Sequence, residues 1–175
     1  DEIYQKFINE PAFHKYEKGQ ISDDEFRILV RETMNVEAND EAIDAAWNAM
    51  IFDIPSHRLK WLKELNEKFE VYILSNTNTI HIDYVHKLLE EEHGLVNFEG
   101  LVNNVYYSHE IGMRKPDQDV FNWLIRENNL ESNSTIFLDD NIDNINGGIA
   151  AGITSLKVKD HENVPQLLKK EGIEI

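Results

Sequence analysis

The hydrophobic pattern of the chain changes near residue 55. Before that point, apolar residues recur at helical spacing and helix-capping signals separate the segments. After it, short apolar runs alternate with amphipathic helical segments. Strands that alternate with helices indicate a parallel sheet covered by helices on both faces. We therefore predict an α/β fold in two parts, a small all-helical domain over residues 1–55 and a parallel-sheet domain over 56–175.

Helix signals fill the first part. Ser22, followed three residues later by Glu25, forms a capping box that opens a helix. Asn39 is predicted to cap the next helix, and an earlier helix is predicted over residues 3–16, closed by Gly19. Four aromatic side chains are interpreted as the core of this domain rather than as the lining of a crevice: Phe13, Tyr16, Phe26 and Trp47.

The second part carries four predicted strands, namely Val71–Leu74, Val105–Tyr107, Thr135–Leu138 and Thr154–Val158. Ser56 is predicted to cap the helix that precedes the first of them. Between and after the strands, helices are predicted over Thr79–Glu92, Asp117–Asn129, Ile142–Ala151 and Val164–Lys170. Gly147 and Gly148 are expected to let one of these helices pack closely on the sheet.

The overall charge limits the classes of partner that this chain is expected to bind. The chain has 17 basic and 33 acidic residues, a formal net charge of −16. Such a balance argues against nucleic acid or an anionic membrane surface as the main partner. The chain has no cysteine, which excludes disulfides, thiolate nucleophiles and zinc sites built on cysteine. No apolar run approaches the length of a membrane span, and a cytoplasmic location is expected.

Polar residues follow three of the predicted strands. Ligands in open α/β sheets bind at the carboxyl ends of the strands, so these positions are candidates for a site. Ser75-Asn76-Thr77 follows the first strand, and its hydroxyl, amide and backbone N–H groups suit a phosphate. Considered alone, a turn with a helix cap is the commoner role for such residues. Lys115 follows the second strand in Gly112–Asp117, where a surface lysine is again the commoner interpretation.

The third strand ends in Asp139 and Asp140. Adjacent carboxylates repel each other, so two of them at one strand end cost stability unless a cation or hydrogen-bond donors compensate. Hard oxygen ligands suit Mg²⁺, whereas a turn and helix cap account for the residues equally well. The combination of serine, lysine and paired aspartates in this order is far more specific than any one motif. All three are expected to face one crevice.

These motifs resemble those of the haloacid dehalogenase-like (HAD) hydrolase superfamily. The stretches Leu74–Asn78, Gly112–Asp117 and Phe137–Asn144 are similar to its branch with a helical cap, and within that branch to α-D-glucose-1-phosphate phosphatases. The resemblance covers nearly the whole chain, including Glu17–Ser22 in the cap. It implies a Rossmann-like core over residues 56–175, with a parallel sheet and helices on both faces, and a helical cap over residues 1–55.

The resemblance also implies roles for the motif residues. Ser75 would hydrogen-bond the phosphoryl group, and Lys115 would neutralise the phosphate and the nucleophile. Asp140 would bind Mg²⁺ directly, Asp139 would lie beside it and orient a metal-bound water, and Asn144 would orient the acidic loop. Further contacts to the phosphate are expected from three neighbours of these residues, namely Asn76, Thr77 and Arg114. The expected ligand is a small phosphorylated metabolite.

One family motif has no counterpart in residues 1–175. It is a strand that ends in the nucleophilic aspartate and precedes the cap, whereas Asp1–Tyr4 already has a helical pattern and Asp53 follows no strand pattern. In the family this strand lies between the strands that end here at Ser75 and Asp139. We therefore expect the folded protein to contain a further N-terminal segment of at least ~10–15 residues. A chain without it should be unstable and inactive.

Three functions follow from these observations. The first is a Mg²⁺-dependent phosphatase of small metabolites, sugar phosphates among them, that works through an aspartyl-phosphate intermediate. The second is a 2-haloacid dehalogenase, which by comparison with the family needs no metal; the adjacent acidic residues argue against it. The third is a non-catalytic binding module, the literal interpretation of a chain without a nucleophile.

Overall fold

The computed structural model describes residues 11–174. The chain forms two compact units that divide between Gly112 and Met113. The helix predicted over residues 3–16 begins outside the described residues. The different boundary predicted from the sequence, between a cap of residues 1–55 and a core of 56–175, stays a prediction.

Six helices and two strands make up the described part of the first unit. The helices are α1 (Pro11–Glu17), α2 (Asp23–Met34), α3 (Asp40–Asn48), α4 (Ser56–Asn66), α5 (Thr79–His93) and α6 (Ser108–Ile111). The strands are β1 (Tyr72–Ser75) and β2 (Asn104–Tyr107). Both strands and α5 agree with the predicted segments to within one residue, and the short helix α6 was not predicted.

Side chains cap some of the helices at their N-termini, as the sequence predicts. The predicted capping box is confirmed, because the Ser22 hydroxyl accepts from the Glu25 amide at 3.2 Å and the Glu25 carboxylate accepts from the Ser22 amide at 2.7 Å. Asn39 caps α3 as predicted, by accepting from the Ala42 amide. The predicted cap at Ser56 is wrong by one residue. Pro55 is the N-cap of α4 and has no side-chain bond to offer.

The aromatic residues of the helical segment form its core. Phe13, Tyr16, Phe26 and Trp47 are buried in one cluster, which confirms their interpretation as core residues. The cluster also contains Ile80, from the first turn of α5. A second buried cluster consists of Leu59, Leu89, Leu101 and Val102, against which residues of both strands pack. Helix α5 therefore begins in the core of the helical segment.

The second unit alternates between α-helix and strand, with two short 3-10 helices at Ser132–Ser134 and His161–Asn163. Its elements are α7 (Gln118–Glu127), β3 (Ile136–Asp139), α8 (Ile142–Ala150), β4 (Thr154–Lys157) and α9 (Val164–Lys170). Gly148 in α8 packs against β4, where a Cβ atom would lie 2.4 Å from Ser155 Oγ. Gly147 is similarly tight, since its Cβ would lie 2.4 Å from the Pro116 carbonyl oxygen. The expectation that these glycines let the helix pack closely on the sheet is confirmed for Gly148, whereas Gly147 packs against the loop before α7.

Strand pairing is parallel throughout the described residues, as predicted. β1 pairs with β2, which places Ser75 opposite Tyr107, and β3 pairs with β4, which places Asp139 opposite Lys157. Among residues 11–174, β1 and β3 each have one strand partner, in separate two-stranded sheets. The additional strand expected between them stays a prediction. No helix in this part of the chain combines the length and hydrophobicity needed to cross a lipid bilayer.

Candidate active site

A buried ion pair lies at the carboxyl end of β3. The Lys115 ammonium donates to Asp139 Oδ2 at 2.8 Å, and only 10% of the lysine side chain and 7% of the aspartate side chain are exposed. Lysine and aspartate are rarely buried without a partner, because burial of an isolated charge is costly. Each charge therefore offsets the cost of burying the other, and the pair holds the lysine cation in one place.

Asp139 accepts further hydrogen bonds around its carboxylate. Asn144, in the first turns of α8, donates from Nδ2 to Oδ1 at 3.0 Å and to Oδ2 at 3.1 Å. The Asn141 amide donates to Oδ1 at 2.8 Å. Burial alone would raise the pKa of Asp139, but the hydrogen bonds and charge of Lys115, together with these other donors, hold that pKa below its ordinary value. Asp139 is thus an ionised anchor for Lys115.

The neighbouring Asp140 has the opposite environment. Its side chain is 64% exposed, and its carboxylate lies 3.8 Å from the imidazole Nε2 of His161, which is also exposed. Asn141 then caps α8 by accepting from the Asp143 amide at 2.8 Å. Of the two adjacent carboxylates, one is saturated with protein donors and the other faces solvent. Asp140 is the carboxylate that is accessible to a cation.

Lys115 lies in the loop that precedes α7 and contacts a ring of β3. Lys115 is joined to Pro116 through a cis peptide bond, just before α7. Asp117 occupies the N-cap position of α7, but its side chain makes no capping hydrogen bond. The lysine Nζ also lies 5.5 Å from the centroid of the Phe137 ring in β3. Arg114, which precedes the lysine, is half-buried.

The turn after β1 carries the other predicted motif. Ser75 ends the strand and is half-buried, as is Asn76, whereas Thr77 is buried. The Thr77 amide donates to Ser108 Oγ at 2.9 Å, and the Ser108 hydroxyl donates to the Thr77 carbonyl at 3.1 Å. Asn78 is also buried and caps α5 by accepting from the His81 amide at 3.1 Å. The Thr77 amide is therefore already used within the protein.

Sequence reasoning missed Ser108 and the capping role of Asn78. Both are at least nine-tenths buried and serve the turn that contains Ser75. A signal for Asn78 was present, since asparagine directly before a helical segment is a common N-cap. Ser108 directly follows β2, so its position at a strand end was visible too, but nothing in its neighbours predicted a bond to Thr77.

The predicted site residues thus form two groups, one in each unit. In the second unit, Lys115, Asp139 and Asn144 are in direct contact, with Asp140 beside them. In the first unit, Ser75, Asn76 and Thr77 form the turn that Ser108 supports. Among residues 11–174, no three histidine or acidic side chains converge as a complete set of metal ligands.

Comparison with known proteins decides the family. A family model described as haloacid dehalogenase-like hydrolase matches residues 2–158. The chain belongs to this family. Solved structures of HAD proteins agree with that assignment. A HAD family enzyme of Bacteroides thetaiotaomicron, crystallised with magnesium and inorganic phosphate, has a TM-score of 0.84 and 35% identity, with 95% of this chain and 83% of that chain covered.

Further matches concern the fold and the named activities of HAD relatives. The structure of a HAD-like hydrolase of Porphyromonas gingivalis has a TM-score of 0.85 and 20% identity. The match covers 98% of this chain and 84% of that chain. These matches confirm the predicted α/β Rossmann-like core with a helical cap. A D-ribitol-5-phosphate phosphatase of B. thetaiotaomicron is 25% identical over 87% of this chain and 73% of its own length. A sesquiterpene phosphatase of Aspergillus oryzae is 23% identical over 87% and 75%.

Proposed function

We propose that this HAD protein is a Mg²⁺-dependent phosphatase of small phosphorylated metabolites, with polyol and sugar phosphates as its substrate class. The observation that carries the proposal is the buried Lys115–Asp139 pair beside the exposed Asp140. Transfer of a phosphoryl group needs positive charge and aligned donors at the phosphate, and a lysine anchored by a carboxylate supplies a fixed cation. Family membership and the phosphatase names of its relatives support the phosphoric monoester hydrolase class.

The residues present fit Mg²⁺ as the cofactor. Both Asp139 oxygens already accept hydrogen bonds, whereas the exposed Asp140 carboxylate is a hard oxygen donor of the kind that Mg²⁺ prefers. Mg²⁺ commonly takes only one or two carboxylates and completes its shell with water and substrate phosphate, so a full set of protein ligands is not required. Bound there, the ion would neutralise charge that develops on the phosphoryl group. A relative crystallised with magnesium and phosphate supports this assignment.

Each remaining site residue has a proposed role. Lys115 neutralises the phosphate, and Ser75 donates a hydrogen bond to it. Further polar contacts to the phosphate come from Asn76, Thr77 and Arg114. The Thr77 amide does not contribute, because it already donates to Ser108. Asn144 orients the acidic loop through its bonds to Asp139. These roles stay proposals drawn from the resemblance and from the local contacts described above.

The proposed chemistry has two displacements at phosphorus. An aspartate carboxylate attacks the phosphorus atom, and the bond from phosphorus to the ester oxygen breaks. The sequence motifs assign this role to none of residues 1–175. The leaving alkoxide takes a proton from solvent. Water then attacks the phosphorus of the aspartyl phosphate, the bond from phosphorus to the carboxylate oxygen breaks, the proton of the water passes to solvent, and inorganic phosphate and the free carboxylate are released. In both steps Lys115 supplies charge neutralisation at the phosphoryl oxygens rather than a covalent bond.

The substrate class rests on the relatives and on the family branch. One relative is named as a phosphatase of a polyol phosphate. The sequence motifs resemble those of phosphatases that act on a hexose phosphate. Both esters carry a small, uncharged and hydroxyl-rich leaving group. The particular ester, and the cytoplasmic location expected from the sequence, stay predictions.

A panel of esters tests this proposal in the full-length protein. Phosphate release is measured with Mg²⁺ for ribitol 5-phosphate, glucose 1-phosphate, phosphoserine and AMP, and chloride release is measured for 2-chloropropionate. We expect kcat/KM for a polyol or sugar phosphate to exceed that for phosphoserine and AMP by at least ~10-fold. Preference for phosphoserine or AMP would contradict the substrate class. Release of chloride without release of phosphate would instead support the dehalogenase alternative.

A further inference from the structure

One buried hydroxyl holds both backbone groups of Thr77, in the turn that follows β1. The Thr77 amide donates to Ser108 Oγ at 2.9 Å, and the Ser108 hydroxyl donates to the Thr77 carbonyl at 3.1 Å. A serine hydroxyl has one hydrogen to donate and two lone pairs that accept, so it can serve an N–H and a C=O group together. Ser108 is 1% exposed and Thr77 is 6% exposed, so both bonds are shielded from water.

These two bonds continue the contact between the strands beyond the point where their pairing ends. β1 and β2 pair in parallel as far as Ser75 and Tyr107, which are the last residues of the two strands. Ser108 is the next residue after β2, and Thr77 lies two positions beyond Ser75. The backbone of the turn is therefore held at Ser75 by the sheet and at Thr77 by the hydroxyl, with Asn76 between them.

The environment of Ser108 indicates that it acts through the turn rather than on a ligand. Its side chain is almost inaccessible, and its hydroxyl hydrogen is already donated to the Thr77 carbonyl. Polar groups bind a phosphoryl group more tightly when the protein holds them in place beforehand, because binding then does not have to order them. A residue that fixes the backbone of the turn can therefore change phosphate affinity without contacting the phosphate.

We propose that Ser108 is a positioning residue whose hydroxyl holds the Ser75–Thr77 turn in the conformation that binds a phosphoryl group. The inference rests on the proposed function, because it takes this turn as the phosphate-binding element. It goes beyond that function in assigning part of the phosphate affinity to a residue outside the serine, lysine and aspartate motifs. Loss of the hydroxyl should weaken phosphate binding while Asp140 still binds Mg²⁺.

The test uses Ser108→Ala in the full-length protein at saturating Mg²⁺. The change removes the partner of both backbone groups of Thr77. We expect the inhibition constant for inorganic phosphate to rise roughly 10-fold, the order that loss of one aligned hydrogen bond to a charged group allows. Hydrogen exchange at the Thr77 amide should become faster. The dissociation constant for Mg²⁺, measured without phosphate, should stay within about 2-fold of wild type.

Ser155→Ala is the matched control. Ser155 is half-buried in β4, and its hydroxyl donates to the Ile153 carbonyl at 3.1 Å. The change therefore deletes the same side-chain atom and a hydrogen bond to a backbone carbonyl, but it leaves both bonds to Thr77 in place. Its phosphate inhibition constant should stay within about 2-fold of wild type.

Ser108→Cys carries the test if the alanine variant does not fold. A thiol fills the same position but is a weak donor and a weak acceptor, so it only partly replaces the hydroxyl. We expect the phosphate inhibition constant of this variant to rise about 2–5-fold, with faster exchange at the Thr77 amide than in wild type.

The outcomes separate the two proposals. An unchanged inhibition constant in a folded Ser108 variant, an equal rise in Ser155→Ala, or an equal loss of Mg²⁺ affinity would overturn the positioning role and leave the phosphatase proposal intact. A wild-type protein that neither hydrolyses phosphate esters nor binds inorganic phosphate would overturn both. A rise confined to the Ser108 variants, with faster exchange at Thr77 and unchanged Mg²⁺ affinity, would support both.

Discussion

Asp139 and Asp140 show how environment gives adjacent, identical side chains different chemistry. The first is 7% exposed and accepts from Lys115, Asn141 and Asn144, whereas the second is 64% exposed. The sequence predicted that two neighbouring carboxylates need compensation, and the structure shows hydrogen-bond donors compensating one of them. The resemblance implied the division between an orienting and a metal-binding carboxylate, and that division stays a prediction. The residue types alone do not predict this division, because which of the two carboxylates is buried depends on contacts with α8 and Lys115.

Replacement of Lys115 tests its proposed charge role. Lys115→Ala should lower kcat/KM by at least ~10²-fold, because it removes a cation that stabilises the transferred phosphoryl group. The exposed Lys169 offers a matched control, and Lys169→Ala should leave the rate within about 2-fold. Circular dichroism must confirm folding of Lys115→Ala, since it leaves Asp139 buried without its counter-charge. An unchanged rate in a folded variant would make Lys115 a structural residue only.

The depressed pKa of Asp139 predicts a dependence of stability on pH. Its folded pKa lies below the unfolded value of about 3.9, so the unfolded chain binds the proton more readily. The stabilisation it contributes is therefore present above about pH 4 and is lost as the pH falls through the folded pKa. The Tm of wild type should fall more steeply between about pH 5 and 2 than that of Asp139→Asn. Parallel curves for the two proteins would contradict this assignment.

At the scale of elements, the sequence predicted where helices and strands lie better than what fixes their ends. β1 to β4 were visible as short apolar runs, and Ser22, Glu25 and Asn39 were visible as caps. The bond that holds the turn before α5 was not, because Ser108 is distant in sequence from the Thr77 amide that donates to it. Local sequence patterns carry information about neighbours along the chain, whereas a bond between distant residues depends on tertiary packing.

The loop between α1 and α2 passes very close to the backbone of α6. Gly19 has φ of +64°, and a Cβ on it would lie 2.1 Å from the His109 carbonyl oxygen, at the start of α6. Gly94 has φ of +67° with no atom near its Cβ position. Gly94→Ala should therefore cost about 1 kcal/mol from backbone conformation alone. Gly19→Ala should cost at least ~1 kcal/mol more, because the overlap with His109 must be relieved.

Thermal unfolding of the two glycine variants measures this difference. For a chain of this size, each 1 kcal/mol corresponds to about 2–4 °C in Tm. Equal values of Tm for Gly19→Ala and Gly94→Ala would show that the loop moves away from His109 at no cost, and the close approach would then have no role in stability.

At the scale of the whole molecule, the sequence predicted the fold class and the family from three short motifs. Their order, Ser75 before Lys115 before Asp139, was more informative than composition, which mainly argued against nucleic acid as a partner. The division of the described structure between Gly112 and Met113 was not predicted. It places the serine motif in one compact unit and the lysine and aspartate motifs in the other, a result of tertiary contacts that no local pattern encodes.

We propose that the exposed Asp140 carboxylate, directly after β3, makes phosphate release depend on Mg²⁺. Phosphate release by the full-length protein should require Mg²⁺, stop when EDTA is added, and fall by at least ~10²-fold in Asp140→Asn. Calorimetric titration should show weaker Mg²⁺ binding by that variant, whereas Asp143→Asn, at an exposed residue on α8, should match wild type. Wild-type activity that survives EDTA, or an Asp140→Asn variant that binds Mg²⁺ and turns over like wild type, would contradict the proposed Mg²⁺ dependence.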